Sequence, residues 1–238
     1  MDKKVTIIIP VFNAEKYVSE CIMSAIRQTY DNIQIIVVDN ESTDNSVDII
    51  ESIVLMHSQV EFYRAPNLYK HSWDEPRDEA LKHADGEYIH ILAADDVLES
   101  QFIEYCMRYF AAAPDKIKAI QSTIQGQGLS DILYNYNSIE QFKELCLFRC
   151  PVNTPTVVYH RSIFENKEIK TKPELYGGAA DYDLYCQMAD KDIMIYPIPL
   201  NLGYYYRWHP EQASWGVHKD GINYDAMIQH YWREKWKK

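Results

Sequence analysis

The chain has 238 residues, of which 47% are hydrophobic, and a formal net charge of −11 at pH 7. This length suits one α/β domain or two small ones, and the hydrophobic fraction is that of an ordinary globular protein. The acidic balance argues against nucleic acid as a partner, because phosphate backbones are bound through basic surfaces.

The cysteine content and the hydropathy of the chain indicate the cellular compartment in which we expect it. The five cysteines are odd in number and lack the spacing of a metal site, which favours a reducing compartment. The N-terminus enters a strand pattern directly, so we predict no signal peptide. No apolar run approaches the roughly 18 to 20 residues that span a bilayer. We therefore expect a cytoplasmic protein, with peripheral membrane contact as an open alternative.

Up to residue 96, apolar strand patterns alternate with amphipathic helix patterns. Strands are predicted over residues 5–9, 33–38, 60–64 and 88–92. Helices are predicted over residues 14–28, 42–57 and 76–84. We expect Asn13 to cap the first helix and Ser42 or Thr43 to cap the second. Four strands with three intervening connections predict a right-handed β/α layer around a parallel sheet.

The pattern is weaker in the second half of the chain. Helices are predicted over residues 100–112, 138–148, 181–190 and from 223 onward. Strands are predicted over residues 119–121, 151–160, 193–196 and 203–208. Residues 126–128 and 173–180 are predicted to be loops, the second with a hinge at Gly177 and Gly178.

Polar residues follow three of the predicted strands at their carboxyl ends. Asn13 follows the first strand, Asp39 and Asn40 end the second, and Asp95 and Asp96 follow the fourth. Ligands of an open parallel sheet bind beyond these ends. Acidic residues at that edge suit a divalent cation, and the cation suits a nucleotide diphosphate.

Each candidate at this edge also has a structural interpretation. Asp39 either stabilises its turn or accepts from a nucleobase or ribose. Asp95 and Asp96 form either an exposed acidic turn or a metal-binding pair, because adjacent buried carboxylates need a cation or donors. Arg77 is either a solvated side chain among acidic neighbours or a guanidinium that faces the nucleotide.

Two candidates lie in the second half. Asp181 opens a helix after two glycines and is either an N-cap or a general base, while Asp183 is expected to point elsewhere. His209 lies at the exit of an aromatic strand and is either an ordinary histidine or a metal ligand.

Seven segments together resemble a known family. They lie at residues 5–13, 36–44, 77–81, 86–89, 91–96, 181–184 and 206–210. In this order they resemble the family 2 glycosyltransferases, which have the GT-A nucleotide-diphospho-sugar transferase fold. The resemblance implies a Rossmann-like α/β domain with a mostly parallel sheet flanked by helices. Its parts would be a nucleotide-sugar-binding half (1–99), an acceptor-binding half (100–222) and a helical tail (223–238).

The resemblance implies a donor site at matching positions. Pro10, Val11 and Phe12 would line the base pocket. Asp39 would hold the base, and Arg77 would lie against the nucleotide. The donor would be a nucleotide-diphospho-sugar, with a UDP-sugar favoured.

The resemblance also implies a metal and a base. Asp95, with Ala94 beside it, would bind the donor through a cation, Mn²⁺ or Mg²⁺. His209 would be a further metal ligand. Asp181 would deprotonate the acceptor hydroxyl.

Five positions depart from the family pattern. Asn40 replaces an Asp and loses a charge. Glu41 replaces a turn glycine, which a different turn geometry would accommodate. Asp78 replaces an Asn beside Arg77. Ala93 replaces the first carboxylate of the metal motif, and Ala180 replaces a Glu before the base.

These features predict an inverting, metal-dependent glycosyltransferase acting on a glycan or lipid-linked sugar. A non-catalytic nucleotide- or sugar-binding module is the alternative that Asn40 and Ala93 favour. A sugar-1-phosphate nucleotidyltransferase would need a Gly-rich basic loop after the first strand, where the chain has Pro10 to Asn13. The aromatic, basic tail at 231–238 is either a docked helix or a weak membrane-surface contact.

Overall fold

The computed structural model describes residues 3–69, 72–126, 129–132, 134–199, 203–212 and 221–237. Within these ranges the strands are β1 (Val5–Val11), β2 (Ile33–Asp39), β3 (Val60–Arg64), β4 (Tyr88–Ile91), β5 (Val97–Leu98), β6 (Ala119–Gln121), β7 (Ile124–Gly126), β8 (Leu129–Ile132), β9 (Val158–His160), β10 (Ile195–Pro197) and β11 (Tyr204–Tyr205). The α-helices are α1 (Val18–Ile26), α2 (Ser46–Met56), α3 (Asp74–His83), α4 (Phe102–Ala112), α5 (Ile139–Cys146), α6 (Ser162–Glu165), α7 (Pro173–Tyr176), α8 (Ala180–Asp190) and α9 (Tyr224–Trp236).

A seven-stranded sheet forms the centre of the molecule, in the spatial order β10-β6-β9-β4-β1-β2-β3. Strands β3, β2, β1 and β4 run parallel, while β9 is antiparallel to its neighbours β4 and β6. A four-stranded sheet has the order β5-β11-β7-β8. The predicted mostly parallel sheet and its first four-strand layer are therefore confirmed.

The central strand β1 is buried along almost its whole length, as expected for a parallel strand covered on both faces. Ile7 and Ile9 belong to an apolar cluster that includes Ile22 of α1. Ile8 belongs to a different cluster, with Ala80 of α3. Because side chains alternate along a strand, α1 and α3 cover opposite faces of the sheet. A third cluster packs α5, α8 and α9 together.

Both predicted N-caps in the first half are wrong. The residues before α1 and α2 are Tyr17 and Asn45, and neither makes a capping side-chain hydrogen bond. Asn13 instead has φ 49°, and its Oδ1 accepts from the Thr43 N–H at 2.7 Å. The Asn13 N–H donates to Ser42 Oγ at 2.9 Å. These polar side chains therefore join two loops rather than start two helices.

Two predicted elements of the second half differ from the structure. The predicted strand at 151–160 is a 3-10 turn at Thr154–Thr156 followed by β9. In that turn the Thr156 hydroxyl accepts the Ser122 N–H at 3.0 Å. The predicted loop at 173–180 is helical, because α7 and a 3-10 turn at Gly177–Ala179 lead directly into α8.

The C-terminal helix α9 docks on α8. The Trp232 side chain is buried, and its indole N–H donates to Asp183 at 2.8 Å. The Trp236 indole donates to Asp190 at 2.9 Å. The docked-helix interpretation is confirmed for both tryptophans. No helix in the described ranges combines the length and apolar character that a bilayer span requires.

Some predictions are tested only in part. The predicted strand at 203–208 pairs only over β11. Residues 127–128 of the predicted loop and residue 238 of the tail lie outside the described residues. The division of the chain at residue 99 stays a prediction.

Gly86 sets the approach of β4 to β1. Its N–H donates to Thr6 Oγ1 at 3.0 Å, and a Cβ there would lie 2.5 Å from the Thr6 nitrogen and 2.9 Å from the Tyr88 oxygen. We expect Gly86→Ala to lower the free energy of unfolding by about 1–3 kcal/mol, as overpacking does. Urea denaturation measures this loss. Asp85→Ala is the control, because it removes only an exposed ion pair with Lys4 and should cost less than about 1 kcal/mol. Equal losses in the two variants would contradict the steric argument.

Candidate active site

The predicted base-pocket residues lie at the carboxyl ends of β1 and β2. Val11 is the register partner of Asp39, and the Asn40 N–H donates to the Val11 carbonyl at 2.8 Å. Pro10 is half-buried and Val11 is buried, whereas Phe12 has 52% of its surface exposed. The structure therefore brings these residues together beside Asp39 and leaves one aromatic ring open to solvent.

Side chains of the turn after β2 hold that turn in place. The buried Asp39 carboxylate accepts the Ser42 N–H at 3.3 Å. The buried Asn40 amide donates to the Pro66 carbonyl at 2.7 Å. This uncharged residue therefore stabilises the turn by joining it to the chain after β3. Glu41 has φ 63°, so the turn keeps the left-handed geometry that favours glycine, at a cost of about 1–2 kcal/mol. The expectation of a different turn geometry at Glu41 is wrong.

The two predicted metal ligands are in contact. His209 Nε2 lies 3.0 Å from Asp95 Oδ2. The Asp95 side chain is 25% exposed and that of His209 is 10% exposed. The His209 ring packs on Tyr17, with 4.6 Å between ring centroids. Ala94 is buried beside them. Asp95 is therefore the member of the pair that a ligand reaches from solvent.

Asp96 points inward, away from this contact. Its carboxylate accepts the Tyr204 hydroxyl at 2.7 Å and the Arg207 N–H at 2.8 Å. Burial and the neighbouring charge of Asp95 raise the pKa of Asp96 well above its usual range. The two adjacent carboxylates therefore have different surroundings, since Asp96 binds the chain after β11 and Asp95 faces the site.

The donor set at Asp95 fits a shared cation. No group of three His, Cys, Asp or Glu side chains among the described residues is placed to hold a metal by itself. Asp95 offers a carboxylate oxygen, which suits Mn²⁺ and Mg²⁺, and His209 offers an imidazole nitrogen beside it. Mg²⁺ is commonly held by one or two carboxylates together with substrate phosphates and water. The residues therefore fit an ion that a bound diphosphate helps to hold.

Asp181 lies in the first turn of α8 but does not cap it, because the N-cap residue is Ala179. Its Oδ2 accepts the Thr154 hydroxyl at 2.6 Å and its Oδ1 accepts the Tyr182 N–H at 2.7 Å. Burial raises the pKa of Asp181 to about 6, although these two hydrogen bonds favour the charged form. A carboxylate with this pKa can exchange a proton near neutral pH.

Thr154 is a site residue that the sequence reasoning missed. Its 3-10 turn is fixed by buried polar groups: the Asn153 N–H donates to Gln121 Oε1 at 2.8 Å, and the Asn153 amide donates to the Ser122 carbonyl at 2.9 Å. The available signal was the polar run around Thr154 inside a predicted strand, where the alternation of apolar residues breaks down.

Arg77 forms a buried polar cluster. Only 6% of its surface is exposed, so the solvated interpretation is wrong. Its guanidinium lies 2.6 Å from Asp74 and 2.7 Å from Asp78, and donates to Thr171 Oγ1 at 3.1 Å. The charge of Asp74 also raises the pKa of Asp181. A contact between Arg77 and a nucleotide stays a prediction.

Asp183 points away from Thr154, toward α9. It is fully buried and accepts from the Trp232 indole at 2.8 Å, the Gln187 amide at 2.7 Å and the Lys172 ammonium at 3.1 Å. A buried carboxylate needs such donors to remain charged. Asp183 is therefore a structural residue, and the expectation that it points away from the position of Asp181 is confirmed.

Solved structures similar to this chain establish its fold. S. aureus TarS in complex with UDP-GlcNAc superposes with a TM-score of 0.72 at 19% identity, over 88% of this chain and 60% of that one. The mannosyltransferase PcManGT from Pyrobaculum calidifontis, in complex with GDP-Man and Mn²⁺, superposes with a TM-score of 0.69 at 14% identity, over 100% of this chain and 65% of that one. At these identities the likeness concerns the fold, which is the GT-A fold of glycosyltransferases.

The chain is also similar in amino-acid sequence to known glycosyltransferases. Glycosyltransferase GlyG of Streptococcus pneumoniae is 34% identical over 104 residues, which are 44% of this chain and 34% of the relative. The chain thus spans about a third of the length of that relative. A Haemophilus influenzae protein described as an uncharacterized glycosyltransferase is 27% identical over 224 residues, which are 88% of this chain and 67% of the relative. The family model "Glycosyl transferase family 2" matches residues 6–171, well over half of the chain, and the chain therefore belongs to that family.

Proposed function

We propose that the chain transfers a sugar from a nucleotide-diphospho-sugar to an acceptor hydroxyl in glycan synthesis, with inversion at the anomeric carbon and with Mn²⁺ or Mg²⁺. The observation that carries this proposal is Asp181, a carboxylate bound to Thr154 whose pKa is raised to about 6. Family membership supports glycosyl transfer. The contact between Asp95 and His209 supports a cation.

The donor would lie at the carboxyl ends of β1, β2 and β4. Phe12 offers an exposed ring to a base, and Asp39 lies in the neighbouring strand. A UDP-sugar is the proposed donor, and the TarS complexes with UDP and UDP-GlcNAc support it. PcManGT holds GDP-Man, so a donor screen should include both nucleotides.

Asp95 and His209 would hold the cation, with Ala94 beside them. The cation would supply positive charge against the negative charge that develops on the departing diphosphate. Ala93 has no carboxylate to add, so cation binding would depend chiefly on Asp95.

Asp181 would accept the proton of the acceptor hydroxyl while the acceptor oxygen bonds to the anomeric carbon. The bond between that carbon and the diphosphate oxygen breaks, and attack from the opposite face inverts the configuration. The Thr154 hydroxyl and the Tyr182 N–H each hold one oxygen of the carboxylate. The orientation of Asp181 is therefore set before the acceptor binds.

The acceptor would be a glycan or a lipid-linked sugar, bound by the second half of the chain. All five cysteines are free thiols, which supports the cytoplasm as the compartment. A weak membrane-surface contact would rest on the part of α9 that stays open, where Met227 and Tyr231 are exposed.

A non-catalytic nucleotide- or sugar-binding module is the second candidate. It is favoured by the small number of metal ligands that the described residues bring together. Calorimetry with UDP-sugar, with and without Mn²⁺, measures binding, and an assay of released nucleotide measures turnover. Binding without release would favour the module.

A sugar-1-phosphate nucleotidyltransferase is not proposed, because the chain belongs to glycosyl transferase family 2.

Asp95→Ala should abolish metal-dependent turnover and weaken donor binding in Mn²⁺, because hard cations prefer carboxylate oxygens. Calorimetric titration of Mn²⁺ in the presence of UDP checks this. The exposed residue Asp115 provides the control Asp115→Ala. An unchanged titration in Asp95→Ala would reject the assignment. His209→Ala should lose less affinity, and an equal or larger loss would make His209 the principal ligand.

Asp181→Asn should leave the fold and donor affinity nearly intact, because the amide is isosteric. Turnover should fall by about a hundredfold to ten-thousandfold, the usual contribution of general acid–base catalysis. Single-turnover transfer assays at saturating donor measure this. Asp115→Asn makes the same chemical change at an exposed site and should be neutral. Near-normal transfer by Asp181→Asn would end the catalytic assignment.

Thr154→Val should raise the pKa of Asp181, because the Thr154 hydroxyl stabilises the charged carboxylate. A base with a higher pKa is protonated at higher pH. The acid limb of the pH profile of kcat/KM should therefore move up by roughly one pH unit, the value of one hydrogen bond to a charged group. Thr29→Val removes a similar bond to Glu104 on the exposed surface and is the matched control. If the acid limb of the Thr154→Val profile does not move, the ionisation of Asp181 does not determine that limb.

A further inference from the structure

A lysine-rich cavity lies between the segment 167–172, α8 and α9. Its volume is about 340 Å³. The charged side chains that line it are Lys167, Lys170, Lys172, Lys191, Lys235, Glu168 and Asp190. Five lysines and two carboxylates line the cavity, and a third carboxylate, Asp183, pairs with Lys172. The cavity is therefore cationic, although the whole chain has a formal charge of −11. We call it the lysine cavity.

Two of the lysines make no ion pair with a carboxylate in the part of the chain that the structure describes. Lys172 pairs with Asp183, Lys191 with Glu168 and Lys235 with Asp190. Within the described ranges, the ammonium groups of Lys167 and Lys170 make no ion pair or hydrogen bond, and both residues are exposed. The excess positive charge of the lysine cavity therefore resides mainly on these two residues.

The rim that carries these lysines is fixed in place. Ile169, between them, is buried in the cluster formed by α5, α8 and α9. Gln187 of α8 accepts from the Lys170 N–H at 3.0 Å and donates to the Lys170 carbonyl at 2.7 Å. The backbone of this rim is therefore held in place, while the Lys167 and Lys170 side chains extend from it into solvent.

The lysine cavity also has an aromatic wall. Tyr231 of α9 is 47% exposed, and Lys172 Nζ lies 6.0 Å from the centroid of its ring. Trp232 is buried behind it, with Lys235 Nζ 4.5 Å from the centroid of the indole. An exposed aromatic face next to ammonium groups offers apolar contact to a ring and charge to an anion.

The lysine cavity is separate from the candidate base. Asp183, Gln187 and Asp190 are spaced three or four residues apart and share the face of α8 that points to the cavity and α9. Asp181, two residues before Asp183, lies on another face. A ligand in the lysine cavity therefore does not occupy the position of the reacting groups.

We propose that the lysine cavity is a second anion site that binds a phosphate group carried on a sugar. The phosphate oxygens would accept from Lys167 and Lys170, and the sugar ring would lie against Tyr231. The assignment of this sugar phosphate as part of the acceptor rests on the proposed function, but the binding of a sugar phosphate in the lysine cavity does not. The site would hold part of a phosphorylated glycan away from the reacting bond.

Glucose 6-phosphate is the probe, added to ¹⁵N-labelled protein in low salt with EDTA, so that no cation recruits it to the edge at Asp95. Shifts should appear at the amides of 167–172 and at the Trp232 indole N–H. Lys167→Gln combined with Lys170→Gln should weaken binding by at least about tenfold, since two attractive charges are lost. Lys116→Gln combined with Lys118→Gln makes the same change in net charge outside the lysine cavity and should bind as the wild type does.

Four results would overturn the proposal. The first is equal weakening of glucose 6-phosphate binding in the two double variants. The second and third are an affinity for glucose, or for inorganic phosphate, that equals the affinity for glucose 6-phosphate. The fourth is binding only to phosphatidylcholine vesicles that contain phosphatidylglycerol. The last result would assign the lysines to a membrane surface. Asp95→Ala should retain the glucose 6-phosphate shifts, so failure of the metal assignment and failure of the lysine cavity are distinguishable.

Discussion

The candidate site depends on the hydrogen bonds that the Asp96 carboxyl group accepts. Asp96 follows Asp95 directly after β4, and it binds the Tyr204 hydroxyl and the Arg207 N–H. These bonds return a distant part of the chain to the sheet edge, so that His209 meets Asp95 although 114 positions separate them. Buried polar groups are stable only when hydrogen-bonded. Asp96 therefore holds the segment that carries His209 at the sheet edge, and Asp95 is the carboxylate that faces the site.

The parts that could be predicted from the sequence are those that depend on local pattern and sheet topology. Strands β1 to β4 were found within two residues of their ends. Strands β1 and β2 are largely buried apolar runs, and β3 contains Val60, Phe62 and Tyr63, which favour strands. The closeness of Val11 and Asp39 follows from the same topology, since parallel strands end at the same edge. The proximity of Asp95 and His209 came from family resemblance and not from the local pattern.

The parts that could not be predicted depend on partners far apart in sequence. Asn13 and Ser42 are residue types that favour N-caps, yet each binds the other loop instead, about thirty positions away. Thr154 lies in a short turn whose shape is set by Gln121 and other buried amides. Only the folded chain shows that this turn faces Asp181. In each case a non-local polar bond has overridden the local preference.

Polar contacts continue from α3 to α9 and make the candidate base part of a larger framework. Arg77 of α3 binds Thr171, the adjacent Lys172 binds Asp183 of α8, and Asp183 binds Trp232 of α9. Asp183 is fully buried, so the loss of Lys172 or Trp232 would leave this carboxylate with fewer hydrogen-bond donors. The same segment, 167–172, forms the rim of the lysine cavity. The anion site and the helix that carries Asp181 therefore share one rigid support, although they lie on different faces of it.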